Sequence, residues 1–258
     1  MEKISFSKIA FFVLISYLTN LCLAVTGDSN QNMKKSIRIL FIGNSHTYVN
    51  DMTKVLSKMS LSAKSPVELK TFQYTKGGFT LQQHWQDGNS LKAIHKGGWD
   101  YVVIQENGEI PDSNPKLMRE YVTRFVEEIR KVNSEPVLFM TAAFQNKPES
   151  IEKISDAYTS IAEDLNVIVA PVGFAYKLSF QKQPGLSLHN LPDTIHANES
   201  GTYLTACVFY SIFTCQTPEG LSNGGLNKVK PENEKFLQQI AWDAVQNYPL
   251  RGRKTLNR

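Results

Sequence analysis

Five short, apolar, β-prone runs alternate along this chain with longer stretches of helical periodicity, and that alternation constrains the fold more than any other feature. The runs are residues 37–42, 67–74, 101–105, 136–142 and 166–170, and the helical stretches are 51–62, 81–96, 115–132, 148–165 and 197–214. Strands separated by helices of this length form βαβ units, so the expected fold class is α/β with a parallel sheet covered on both faces. The run 67–74 alternates polar and apolar residues, as an edge strand with one less-covered face does. In such sheets ligands bind outside the C-terminal ends of the strands, which directs attention to the residues just after each run.

The first run, Ile37-Arg38-Ile39-Leu40-Phe41-Ile42, opens through Gly43-Asn44 onto Ser45 and His46. A serine on a strand-to-helix turn lies beside backbone N–H groups that favour developing negative charge. The same pattern is also ordinary α/β punctuation, with Asn and Ser as helix caps. The second rim loop carries Gly77-Gly78, and the third is Gln105-Glu106-Asn107-Gly108-Glu109. Near the C-terminus, Asp193 stands three residues before His196, a spacing that lets a carboxylate hold one imidazole nitrogen while the other faces a serine; it equally fits an Asp capping a turn beside a partly buried polar histidine.

These segments resemble the SGNH (GDSL-type) hydrolase superfamily. The likeness spans roughly residues 37–213 and rests on Gly43-Asn44-Ser45, Gly78 and Asp193-x-x-His196. It is nearest to an uncharacterised bacterial branch with a Gly-Asn-Ser first block, a Gly-Gly loop leading into Leu81-x-x-His84, and a third strand ending in Gln105-Glu106. The resemblance implies a three-layer α/β/α sandwich with a five-stranded parallel, flavodoxin-like sheet. It makes Ser45 the nucleophile, His196 the base and Asp193 its orienting partner. The N–H groups of Ser45 and Gly78 would face the oxyanion. Two departures stand out: Asn44 replaces the usual Asp, and the third block lacks its Gly-x-Asn-Asp asparagine. Gln105 or Asn107 is then the amide that supplies a third donor.

Other residues carry two readings each. His84 and Trp85 either line an acyl or sugar pocket or pack beneath the Gly77-Gly78 loop. His46 either contacts substrate or decorates a helix surface. Glu106 and Glu109 form either a carboxylate pair for glycoside chemistry or a solvated loop. The histidines do not fall at metal-ligand spacing, so neither a metal nor a cofactor is expected.

Net charge is +4 with Lys and Arg scattered, which argues against nucleic acid as a partner. Residues 1–24 read as a signal peptide. Lys3 and Lys8 precede an apolar run, and Cys22-Leu23-Ala24 offers small residues for cleavage. Lipid attachment at Cys22 and a retained anchor helix are the alternatives. The expected organisation is a leader over 25–35, a single domain over 36–248 and a basic tail over 249–258. The expected destination is secreted or periplasmic, with no stable membrane insertion after cleavage. Cys207 and Cys215, eight residues apart on one helix, would stand about 12 Å apart, too far for a disulfide; two buried free thiols are expected. Asn198-Glu199-Ser200 fits a glycosylation acceptor pattern.

The function this implies is a secreted serine esterase cleaving small ester groups, acetyl esters on carbohydrates among them, through an acyl-enzyme. A lipid-type esterase or an acyltransferase would use the same triad. A non-catalytic carbohydrate-binding protein would keep only the scaffold. Phosphate or nucleotide binding at the first turn is disfavoured, because the loop has no glycine-rich cradle and no lysine.

Overall fold

The computed structural model describes residues 36–64 and 66–248; the expected signal peptide, leader and basic tail lie outside the described residues. Five strands, β1 (Ser36–Gly43), β2 (Glu68–Thr75), β3 (Tyr101–Ile104), β4 (Glu135–Phe139) and β5 (Ile168–Ala170), form one sheet in the order β2-β1-β3-β4-β5. Every pairing is parallel. This is the flavodoxin-like strand order, in which the chain reverses direction across the sheet between β1 and β3. The loops that leave these two strands therefore diverge and open a crevice. β2 is the edge strand that its alternation predicts, with only Leu69 buried.

Helices cover both faces. Ile39 and Phe41 of β1 point to one side, where Phe41 meets Phe209 edge-on at 5.2 Å and Phe139 meets the same ring at 5.0 Å. Phe209 belongs to α9 (Glu199–Thr214), in which every residue from Ser200 to Phe213 is buried. A helix apolar all round is one packed on all sides. It lies between α2 (Met52–Ser60), α8 (Val172–Lys182) and α10 (Pro231–Asn247). Burying one such aromatic side chain stabilises by about 1.5–3 kcal/mol.

Leu40 and Ile42 point to the other face. There they join Val102, Ile104, Leu138 and Met140 against α6 (Pro115–Lys131) and α7 (Ile151–Leu165). The stretch 81–96 is two helices rather than one, α3 (Leu81–Asp87) and α4 (Asn89–His95). They are broken at Gly88, whose φ of +71° caps the first. Two four-residue α-helical turns, α1 (Ser45–Tyr48) and α5 (Ile110–Ser113), and two short 3-10 turns at Val49–Asp51 and Pro148–Ser150 complete the set. No described helix is long and apolar enough to cross a membrane.

Neither cysteine is in a disulfide, but only Cys207 is buried. Cys215 is the C-cap of α9 with φ +56°, and the left-handed turn carries its side chain out to solvent, contrary to the expected second buried thiol. Asn198 does not present a free acceptor amide either. Its Oδ1 caps α9 by accepting from Gly201 N at 3.0 Å, and its Nδ2 donates to Ser187 O and His189 O at 2.9 and 3.2 Å.

Candidate active site

β1 must end tightly. A Cβ on Gly43 would lie 2.4 Å from Gln105 Oε1 and 2.8 Å from Thr47 Oγ1, so no other residue lets the strand close against this amide. Gln105 Oε1 accepts from Asn44 N at 2.8 Å and Thr47 Oγ1 at 3.0 Å, and its Nε2 donates to Glu106 O. With 0% of its surface exposed, Gln105 does not reach the crevice. The expectation that it donates to an oxyanion is corrected; it fixes the turn that carries Ser45.

Asn44 caps α1 with Oδ1, which accepts from His46 N at 3.1 Å, while Nδ2 donates to Phe79 O at 3.0 Å. An aspartate would cap equally well, but only an amide also donates to the neighbouring loop. A second tie, Lys76 N to Gly43 O at 3.1 Å, brings the Gly77-Gly78 loop alongside the serine turn. Gly78 adopts φ +72°, which a side chain would strain. The backbone N–H groups of Ser45 and Gly78 donate to no described group.

The imidazole arrives from a loop between α8 and α9. Asn190 N donates to His196 O at 2.8 Å, and Thr194, at φ +59°, donates from its N to Asn190 O. Asp193 Oδ1 accepts from the N–H groups of Ile195 and His196 at 2.9 and 3.0 Å. Its Oδ2 accepts from His196 Nδ1 at 3.0 Å, which leaves Nε2 to accept from Ser45 Oγ at 2.8 Å. The backbone donors at Ile195 and His196, with the imidazole, hold the Asp193 carboxyl down at about 2. The carboxylate is therefore ionised throughout the neutral range and fixes the imidazole tautomer.

Asn107 is at the rim. Its Nδ2 donates to Gly78 O at 3.0 Å and its Oδ1 accepts from Glu109 N at 3.1 Å. That geometry leaves the second amide hydrogen uncommitted beside the Gly78 loop.

His46 is not on a helix surface. Its ring stacks on Phe144 at 6.3 Å and lies 5.8 Å from the His196 ring. Burial, then the neighbouring His196 and His189, push its pKa down to about 4, so it is a neutral group. It lines a small pocket with Thr141, Ala142, Tyr176, His189 and Ile195.

Two pocket candidates are corrected. His84 is fully buried, donates from Nε2 to Gly43 O at 2.9 Å, and packs edge-on against Phe79 and Tyr74. It supports the loop from beneath. Trp85 packs edge-on against Phe125 of α6 at 5.4 Å, with Arg124 over its ring. Glu106 and Glu109 are no catalytic pair, because Glu106 is buried and Glu109 exposed.

Sequence reasoning missed Asn50. Its Nδ2 donates to Ala197 O at 3.0 Å and Thr202 Oγ1 at 2.9 Å, pinning the imidazole loop to the segment just after Ser45. The signal was the Asn50-Asp51 pair between two helical stretches, since both residues take φ +53° and Asn and Asp tolerate that region best.

A parallel sheet in this order, with serine, imidazole and carboxylate in series on its C-terminal rim, defines a protein of the SGNH hydrolase fold. Solved structures agree. A DUF4886 family protein from Bacteroides uniformis superposes with a TM-score of 0.68 at 17% identity, over 83% of this chain and 96% of that one. An acetyl xylan esterase superposes with 0.55 at 16%, over 68% and 98%. A lipase/acylhydrolase from Enterococcus faecalis gives 0.52 at 15%, over 72% and 98%. No protein-family model and no curated protein matches the chain.

Proposed function

We propose that the chain is a serine esterase that works through an acyl-enzyme. The observation that carries this reading is the unbroken series Asp193 Oδ2, His196 Nδ1, His196 Nε2 and Ser45 Oγ, with contacts of 3.0 and 2.8 Å. Ser45 Oγ attacks the ester carbonyl while its proton passes to His196 Nε2. Asp193 stabilises the imidazolium formed. The tetrahedral oxyanion receives the N–H groups of Ser45 and Gly78 and the second amide hydrogen of Asn107 Nδ2; one such donor is worth about 3 kcal/mol in the transition state. His196 then protonates the departing alcohol, and water hydrolyses the acyl-Ser45 ester with the same imidazole as base.

The substrate we propose is a small ester, an acetyl group on a carbohydrate foremost. Two features support it: the pocket beside His46 is small and walled partly by Ala142, and an acetyl xylan esterase is among the proteins of like fold. Export, proposed from the sequence of residues 1–24 alone, would bring the enzyme to extracellular glycans.

The test is release of p-nitrophenol from its acetate ester, and of acetate from acetylated oligosaccharides, by the wild type and Ser45→Ala. The expected result is turnover that falls at least about 10³-fold in the variant at unchanged melting temperature. Carbohydrate binding with no Ser45-dependent turnover on either panel would replace this reading with a non-catalytic binder on the same scaffold.

A further inference from the structure

Glu106 is a buried carboxyl that takes no part in the bond-making steps of the esterase chemistry. It succeeds Gln105 at the end of β3 with 1% of its surface exposed. One of its oxygens, Oε1, accepts from Asn107 N at 2.6 Å and from Leu81 N at 3.0 Å. The other, Oε2, is buried without a partner among the described residues. A carboxyl placed like this is expensive: it meets two neutral N–H donors and no cation, and one oxygen goes unsatisfied.

What Oε1 joins is specific. Leu81 is the first residue of α3, three positions after Gly78, and Asn107 heads the opposite rim loop. Both loops supply donors to the oxyanion. Asn107 Nδ2 links them from above through Gly78 O, and Asn44 Nδ2 holds Phe79 O from the Ser45 side. Glu106 Oε1 closes the set from below. Its removal would leave the buried Leu81 N–H and the half-buried Asn107 N–H unpaired, and among the described residues the hydrogen bond left between the two loops would be that of the Asn107 side chain to Gly78 O.

We propose that Glu106 is a positioning residue, whose Oε1 holds the Gly78 and Asn107 donors in register with Ser45. The proposal rests on the esterase reading and adds to it the part that sets the oxyanion geometry. Oxyanion donors act on the transition state, so misplacing them lowers kcat and leaves KM nearly unchanged.

The experiment uses the full chain and p-nitrophenyl acetate, with Ser45→Ala as background and folding checked by circular dichroism and melting. Glu106→Met fills the same space but accepts nothing; kcat is expected to fall at least about 10-fold, with KM within about twofold. Glu106→Gln keeps an oxygen for both N–H groups and is expected to stay within about threefold of wild type. Should Glu106→Met not fold, Glu106→Asp, which withdraws the oxygen by one methylene, is expected to show the same kcat loss. A folded Met or Asp variant with wild-type kcat overturns the proposal, as does a Gln variant as impaired as the Met one. Absence of Ser45-dependent turnover in the wild type overturns the esterase reading and this proposal with it. Ser45-dependent turnover that is indifferent to Glu106 overturns this proposal alone.

Discussion

Ser45 Oγ and His196 Nε2 are 2.8 Å apart although 151 positions separate them in the chain. Ser45 is held by the end of a central strand, whereas His196 comes from a loop with little regular structure of its own. That loop is held by its own backbone bonds, such as Asn190 N to His196 O, and by side chains, among which the Asn50 amide, close after the serine turn, reaches Ala197 O and Thr202 Oγ1.

Asn50→Gly isolates that tie, because glycine accepts the positive φ of this position without strain. Stability is expected to fall by about 1–2 kcal/mol, the worth of the two hydrogen bonds lost. Ester hydrolysis is expected to fall several-fold as the imidazole loop loosens. Urea unfolding and steady-state kinetics read the two effects separately.

Asp193→Asn tests the second contact in the series. The carboxylate accepts the Nδ1–H of His196, and an amide there offers N–H as readily as C=O, so the tautomer is no longer dictated. A buried triad aspartate costs about 10⁴-fold in kcat when made Asn. Asp193 has 44% of its side chain exposed, and water takes over part of its role. The expected loss is therefore smaller, about 10²-fold, with KM little changed, measured on p-nitrophenyl acetate.

How far the sequence discloses this site depends on which forces place each residue. The strands are short apolar runs whose burial is written in their composition. Ser45 on its turn and the Asp193-x-x-His196 spacing are local features, so they are visible in the sequence, and the resemblance to the superfamily points to them together. Gln105 and Asn107 could not be separated as donors, because the choice turns on χ angles: Gln105 folds inward to accept from Asn44 and Thr47. His84 shares a face with Leu81, one turn away, and both are buried, yet a histidine at a rim also reads as a ligand. Helix α8 shows no clean amphipathic stripe in the sequence, because it mixes Tyr176 and Ser179 among its buried positions. Asn50 acts across the fold, and nothing local to it announces Ala197.

Asn44→Asp restores the residue usual in the superfamily that the chain resembles, and is nonetheless expected to harm this protein. The cap on His46 N survives. The donor to Phe79 O is lost, and a carboxylate 1% exposed is set against a carbonyl oxygen. The expected cost is about 1–3 kcal/mol, with kcat reduced because the Gly78 loop loses its link to the serine turn. Urea unfolding compared with wild type at pH 7 checks the first, and steady-state kinetics the second.

Glu106 gives a pH dependence of stability whose sign is opposite to that of an ordinary surface carboxylate. Burial pushes its pKa from 4.5 up to about 7, against the pull of the Asn107 and Leu81 N–H groups. The ionisable group facing it from α7 is Tyr158, whose buried phenol is itself driven well above its ordinary range and stays neutral. Between pH 4.5 and 7 the folded chain holds a proton at Glu106 that the unfolded chain has released, so this group's contribution to stability declines as pH rises through that window. It is largest below 4.5 and level above 7, and the full swing is about 3 kcal/mol. Glu106→Gln has no such proton to lose. The difference in unfolding free energy between Glu106→Gln and wild type is therefore expected to move in favour of the variant from pH 5 to pH 8. Urea titrations of the pair at both pH values measure it, and a difference that does not change with pH would place the carboxyl in a far better solvated site than the one between Leu81 and Asn107.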